Sequence, residues 1–109
     1  MSKLSILSSF PVAITILVAG APKKLKDFEF SDISSIELMA ARSQAKEGEY
    51  LPIYEYIAKT KLIDTDGTKH EIPYDVIAGM SSVNFKKLEE LDYELQLKLI
   101  AVSLENPSS

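Results

Sequence analysis

The sequence predicts an α+β fold, and three observations carry that reading. Val12, Ile14, Ile16 and Val18 alternate at a period of two within Pro11–Val18, which suits one face of a strand. Phe85, Leu88, Leu91, Leu95, Leu99 and Val102 step by three or four along one helical stripe. Between these segments, Asp66-Gly67 separates two short runs in the manner of a tight turn. The predicted order is an N-terminal antiparallel β-hairpin, two helices, a small central hairpin or turn, a short helix and a long C-terminal amphipathic helix. All of it belongs to one domain over residues 1–109, with residues 1–9 and 105–109 expected as loosely ordered tails.

Each element has its own punctuation. Gly20-Ala21-Pro22 breaks the first strand, and Leu25, Phe28 and Phe30 among Lys and Asp predict a return strand around residues 24–30. Ser34-Ser35-Ile36-Glu37 fits a capping box, with Ile33 placed to staple onto Leu38, so a helix begins near Ser35. Its buried side is expected at Ile36, Met39, Ala40 and Ser43, its solvated side at Arg42, Lys46 and Glu47, and its stop at Gly48. Pro52 suits the first turn of a second helix carrying Tyr54, Ile57 and Ala58. Pro73 opens a short helix through Val76 and Ile77 to Gly79; Ser81 or Ser82 caps the last helix, and Asn106-Pro107 stops it.

Composition excludes several classes of function. A chain of 109 residues, 46% apolar and 26% charged, is too short for a doubly wound nucleotide-binding fold or a (β/α)₈ barrel. Without cysteine it has no disulfide, thiolate metal site or thiol nucleophile. The net charge of −4 and a single arginine, Arg42, argue against nucleic acid, since Lys23, Lys24 and Lys26 alone make a weak phosphate footprint. Neither a phosphate-cradling glycine motif nor a Gly-x-Ser-x-Gly elbow occurs. Asp64, Asp66, Gly67 and Glu71 miss the spacing of a calcium loop. His70 reads as a solvated loop residue, and Tyr50, Tyr54 and Tyr56 as packing and rim residues. No enzyme and no cofactor is expected.

A surplus of apolar surface remains. From Leu91 onward, Tyr93, Leu97, Ile100 and Leu104 add a second stripe to the last helix. Either the first two helices cover it, or it binds a partner helix or a second copy of the chain, and the hairpin edge offers another route to a homo-oligomer. A different reading treats the N-terminus as a signal or anchor of a small secreted or envelope-associated domain. Lys3 precedes the apolar stretch Phe10–Ala19, and Ala19-Gly20-Ala21 has the small-x-small form of a cleavage site. That stretch is short of a membrane span, and pairing of residues 10–21 with 24–30 would favour a strand.

Phe10-Pro11-Val12, the turn at Gly20, Lys24-Leu25-Lys26-Asp27-Phe28-Glu29-Phe30, the capped helix, Asp66-Gly67 and Ala78-Gly79-Met80-Ser81-Ser82-Val83-Asn84-Phe85-Lys86-Lys87-Leu88 follow one another in a telling order. Over nearly the whole chain, that order resembles the tail assembly chaperones of contractile-tailed bacteriophages. The family's last helix is preceded by Leu-Ser-x-x-Asp-hydrophobic-x-x-Leu; here Met80 replaces the Leu and Asn84 the Asp, while Ser81, Phe85 and Leu88 match. The resemblance implies a phage or prophage protein of the bacterial host cytoplasm, binding neither nucleic acid nor membrane. Its role would be to hold the helical tape measure protein soluble during tail morphogenesis. Met80, Ser81, Asn84, Phe85 and Leu88 would fix the final helix, and the second stripe, Tyr93, Leu97, Ile100 and Leu104, is the expected partner-binding surface.

Overall fold

The structure, a computed structural model, describes residues 4–105 apart from the side chain of Glu105. In chain order the elements are β1 (Ser5–Val18), β2 (Ala21–Ser31), α1 (Ser35–Arg42), α2 (Leu51–Lys59), β3 (Thr60–Ile63), β4 (Lys69–Glu71), α3 (Tyr74–Gly79) and α4 (Ser82–Glu105). The four strands form one antiparallel sheet in the order β1-β2-β3-β4, so each strand pairs with its neighbour in sequence. This is the α+β order expected. The stop at Asn106-Pro107 and the tail residues 1–3 and 106–109 lie outside the described residues.

Ala19 (φ 53) and Gly20 (φ 81) both occupy the left-handed region, as a two-residue type I′ turn requires. In such a hairpin the flanking pair, Val18 and Ala21, is hydrogen-bonded across the ladder, and Leu17–Pro22 is a non-hydrogen-bonded pair. Pro22 therefore sits where a strand has no need of an N–H toward its partner.

The first strand begins earlier than the predicted Pro11. Residues 5–9, expected in a loose tail, pair with 27–31. Leu4, Ile6, Ser8 and Phe10 continue the inward alternation, and a serine inside at 8 with a leucine outside at 7 hides it from hydropathy alone. The outward serines find strand partners instead: Ser9 Oγ donates to Asp27 at 2.6 Å and Ser5 Oγ to Glu29 at 3.2 Å. The second strand likewise starts at Ala21 rather than near 24.

Midway, the register jumps from Ser9↔Asp27 to Ile14↔Leu25, so that Phe10 through Ala13 stand opposite Lys26 alone. This bulge of four residues against one bends β1 and turns the Val12 N–H and C=O away from β2. Asn84, wholly buried in the first turn of α4, meets both backbone polar groups of Val12.

The helices pack on one face of the sheet. The core holds Phe10, Ile14, Ile16, Leu25, Phe28, Phe30 and Leu62 from the strands, joined by Ile53, Ile57, Ile72, Ile77, Leu88, Leu91 and Leu95. The Phe10 and Phe28 rings stack at 4.3 Å across the bulge. Each such aliphatic or aromatic side chain contributes about 1.5–3 kcal/mol on burial.

Helix α1 has the capping box in full: Glu37 N–H donates to Ser34 Oγ, and the Ser34 N–H donates to the Glu37 carboxylate. Its packing differs from expectation. Only Ala41 is buried, whereas Ile36 is 71% exposed and Met39 is also outside. The helix ends at Arg42, not at Gly48, which instead makes a separate turn at φ 86. Docking through Ala41 explains the exposure, since a short helix held against α2 by a small residue leaves its larger apolar side chains outside. Helix α2 starts with Pro52 in its first turn and buries Ile53 and Ile57, with Tyr54 and Ala58 half-buried.

β3 and β4 form the small hairpin. Gly67 N–H donates to the Asp64 carbonyl and Asp64 N–H to that of Thr68, with Gly67 at φ 87, a three-residue loop of the type I plus bulge kind. Helix α3 runs from Pro73 as cap to Gly79, as its punctuation indicated. Ser81 caps α4 by accepting the Val83 N–H on its hydroxyl and those of Asn84 and Phe85 on its carbonyl.

Candidate protein-binding surface

A helix of 24 residues is about 36 Å long. Its first part lies over β1 and β2, where Leu88, Leu91 and Leu95 are buried and Phe85 and Leu99 half-buried. The remaining member of the predicted primary stripe, Val102, is exposed, as is every residue from Ile100 to Leu104.

The second stripe is wholly outside. At 3.6 residues per turn, Tyr93, Leu97, Ile100 and Leu104 fall within an arc of about 60°, directly opposite the line through Leu88, Leu91 and Leu95. Leu97 is 50% exposed and Leu104 75%, and neither α1 nor α2 covers them. The result is an apolar ridge on the solvent side of a helix whose other side is anchored in the core. Lys98 and Glu94, 3.9 Å apart, flank it as an ordinary surface pair.

The five residues of the predicted helix signature lie at the start of this element and just before it. Met80 and Asn84 line an open groove of about 380 Å³ between the Val12–Thr15 segment of β1 and helix α3. Ser81 caps the helix, Phe85 meets the Tyr56 ring edge-on at 5.3 Å, and Leu88 is wholly buried. Sequence reasoning assigned them to fixing the helix but did not identify what Asn84 binds.

His70 is a correction. It is half-buried, and its Nε2 lies 3.0 Å from Oδ2 of Asp64, itself only 5% exposed. Lys23 Nζ donates to Oδ1 of the same carboxylate at 2.6 Å, and the Thr65 N–H donates to it as well. The hydrogen bond from Lys23, reinforced by those from His70 and Thr65, holds the Asp64 carboxyl well below the usual carboxylate range despite its burial. Asp64 is therefore ionised at neutral pH, and the imidazole donates through Nε2. The cluster clamps the end of the β1–β2 hairpin to the β3–β4 loop. Its parts lie up to 47 positions apart in the chain, so no local pattern could announce it.

The tyrosines are tied into the fold. Tyr54 and Tyr74 have ring centroids 5.1 Å apart, and Tyr74 Oη accepts the Tyr50 N–H. Tyr54 donates its hydroxyl to Glu49, which pushes its own ionisation up to about 12. Of the three tyrosines clustered at 50, 54 and 56, Tyr50 is the exposed one. Lys24 and Lys26 are exposed on β2 with no arginine near them in sequence.

Among the described residues, no three His, Asp or Glu side chains group to hold a metal ion, and no helix is long and apolar enough to cross a membrane. Compared with protein-family models, curated proteins and solved structures, the chain matches none.

Proposed function

We propose that this protein is a non-enzymatic assembly chaperone that holds an apolar helical segment of a partner against the end of α4. The observation that carries the reading is the ridge Tyr93-Leu97-Ile100-Leu104, exposed opposite the buried stripe of the same helix. A helix laid along it would bury aliphatic side chains worth about 1.5–3 kcal/mol each. Association costs about 4–15 kcal/mol in lost freedom. The balance favours a reversible grip, which suits a protein that must release its client.

On the resemblance to phage tail assembly chaperones, the client is the helical tape measure protein of a phage or prophage tail, and the setting is the bacterial host cytoplasm. Phe10, Ile14 and Ile16 are buried within β1, which supports reading residues 10–18 as part of the fold rather than as a signal or anchor.

The test is co-expression with a tape measure protein, comparing the wild-type chain with Leu97→Asp. The wild type should raise the soluble fraction of the client. Leu97→Asp should lose that effect while its own unfolding free energy changes by less than about 0.5 kcal/mol. Equal activity of the variant would reject the ridge as the binding surface. Collapse of its thermal unfolding would make that stripe part of the core.

A further inference from the structure

The two edges of the sheet are built differently. β4 is three residues long and presents Lys69 and Glu71, the short and charged form that discourages pairing with another chain. β1 is fourteen residues long, Ser5 to Val18, and contains no charged residue. Its middle is protected by Pro11, by the bulge and by Asn84 seated on the Val12 peptide. Its first five residues have none of these protections.

The direction of the backbone there follows from one bond. Asp32 N–H donates to the Leu4 carbonyl, so Leu4, and by alternation Ile6 and Ser8, turn their peptide groups toward β2. Ser5, Leu7 and Ser9 then turn theirs to the open edge. The same three side chains lie on the sheet face that no helix covers, and Leu7 is 71% exposed.

The order Ser5, Leu7, Ser9 reads the same in both directions. An antiparallel copy about a two-fold axis at Leu7 pairs Leu7 with Leu7, and Ser5 with Ser9 of the other copy. Each of these pairs can exchange both N–H···O bonds without a like-charge contact. Nothing in this register selects a foreign strand, whereas its symmetry fits a second copy. We infer that the Ser5–Ser9 edge of β1 is a self-pairing surface that joins two copies of this chain into one continuous eight-stranded sheet.

The surface is separate from the α4 ridge, and the two fail separately. Light scattering on the full chain over a concentration series should give twice the mass of 12.1 kDa, falling to the monomer on dilution. Leu7→Lys, a change at an exposed side chain, should be monomeric with an unchanged circular dichroism spectrum, whereas Leu97→Asp should remain dimeric. The natural chain has no cysteine, so a single thiol reports on the axis directly. Partners in such a pair have Cα atoms about 5.5 Å apart, within the reach of a disulfide. Leu7→Cys should therefore oxidise to a covalent dimer while Leu17→Cys, exposed on the same strand, stays monomeric. A wild-type monomer throughout the series would overturn the inference, as would a dimer that survives Leu7→Lys. Equal cross-linking of the two cysteine variants would also overturn it, even if Leu7→Lys failed to fold.

Discussion

The side-chain amide of Asn84 pairs with the peptide of Val12 as a neighbouring strand would, Nδ2 donating to the carbonyl at 2.7 Å and Oδ1 accepting the N–H at 2.9 Å. The bulge leaves that peptide without a strand partner, and a helix side chain supplies one. Asn84→Ala removes both bonds and should cost about 1–3 kcal/mol in chemical denaturation. Asn84→Asp keeps the acceptor but, when ionised, sets a buried charge against the Val12 carbonyl. Its carboxyl should ionise at higher pH in the folded than in the unfolded chain, so that the variant gains stability relative to wild type as pH falls. A constant deficit between pH 7 and pH 4 would contradict this.

Leu88 and Met39 should separate core from surface on the helices. Leu88 is wholly buried, and Leu88→Ala should destabilise the protein by about 2–5 kcal/mol. Met39 faces outward from α1, and Met39→Gln should change unfolding by less than about 0.5 kcal/mol. The sequence pattern places both on buried faces, so calorimetry on the pair tests the corrected packing of α1.

Ala19 carries a left-handed backbone that asparagine adopts more readily, and Asn-Gly is a favoured pair for a type I′ turn. Ala19→Asn should raise stability by about 1 kcal/mol. A loss in thermal melting would mean that this turn is held by contacts the substitution disturbs.

Asp64 sets an acid limit on the clamp. Its folded-state ionisation is depressed below the ordinary value of 3.8, so its contribution to stability is complete above that value and is lost as pH falls below it toward the folded value. Asp64→Asn should be less stable at neutral pH and should lose less stability than wild type between about pH 4 and pH 2. Parallel acid unfolding curves for the two proteins would show that Lys23 and His70 contribute nothing through Asp64.

What could be read from the residues in advance depended on how far the deciding contact lay along the chain. The capping box at Ser34 and Glu37, the Asp66-Gly67 loop and the Pro73-to-Gly79 helix are local, and each appears where its signals place it. The stripe through Leu88, Leu91 and Leu95 is periodic over about two turns and marks the true core face. Periodicity alone could not say which side of α1 meets the protein, because Ala41 competes with Ile36 and Met39 on geometry and not on hydropathy. It also could not find the partner of a polar residue: Asp64 is built into the fold by Lys23 and His70, and Asn84 by Val12. The ridge on α4 was visible as surplus, and its exposure depended on where α1 and α2 dock.

The pairing of Asn84 with Val12 spans 72 positions, in a sheet whose strands otherwise join neighbours in sequence. During synthesis the four strands can assemble as each emerges, while the middle of the first one waits for the start of the last helix. Until then the nascent chain carries an uncharged strand whose Val12 N–H and C=O have only water for partners. The last contact to close the sheet's first strand is thus the one made by the helix that is synthesised last.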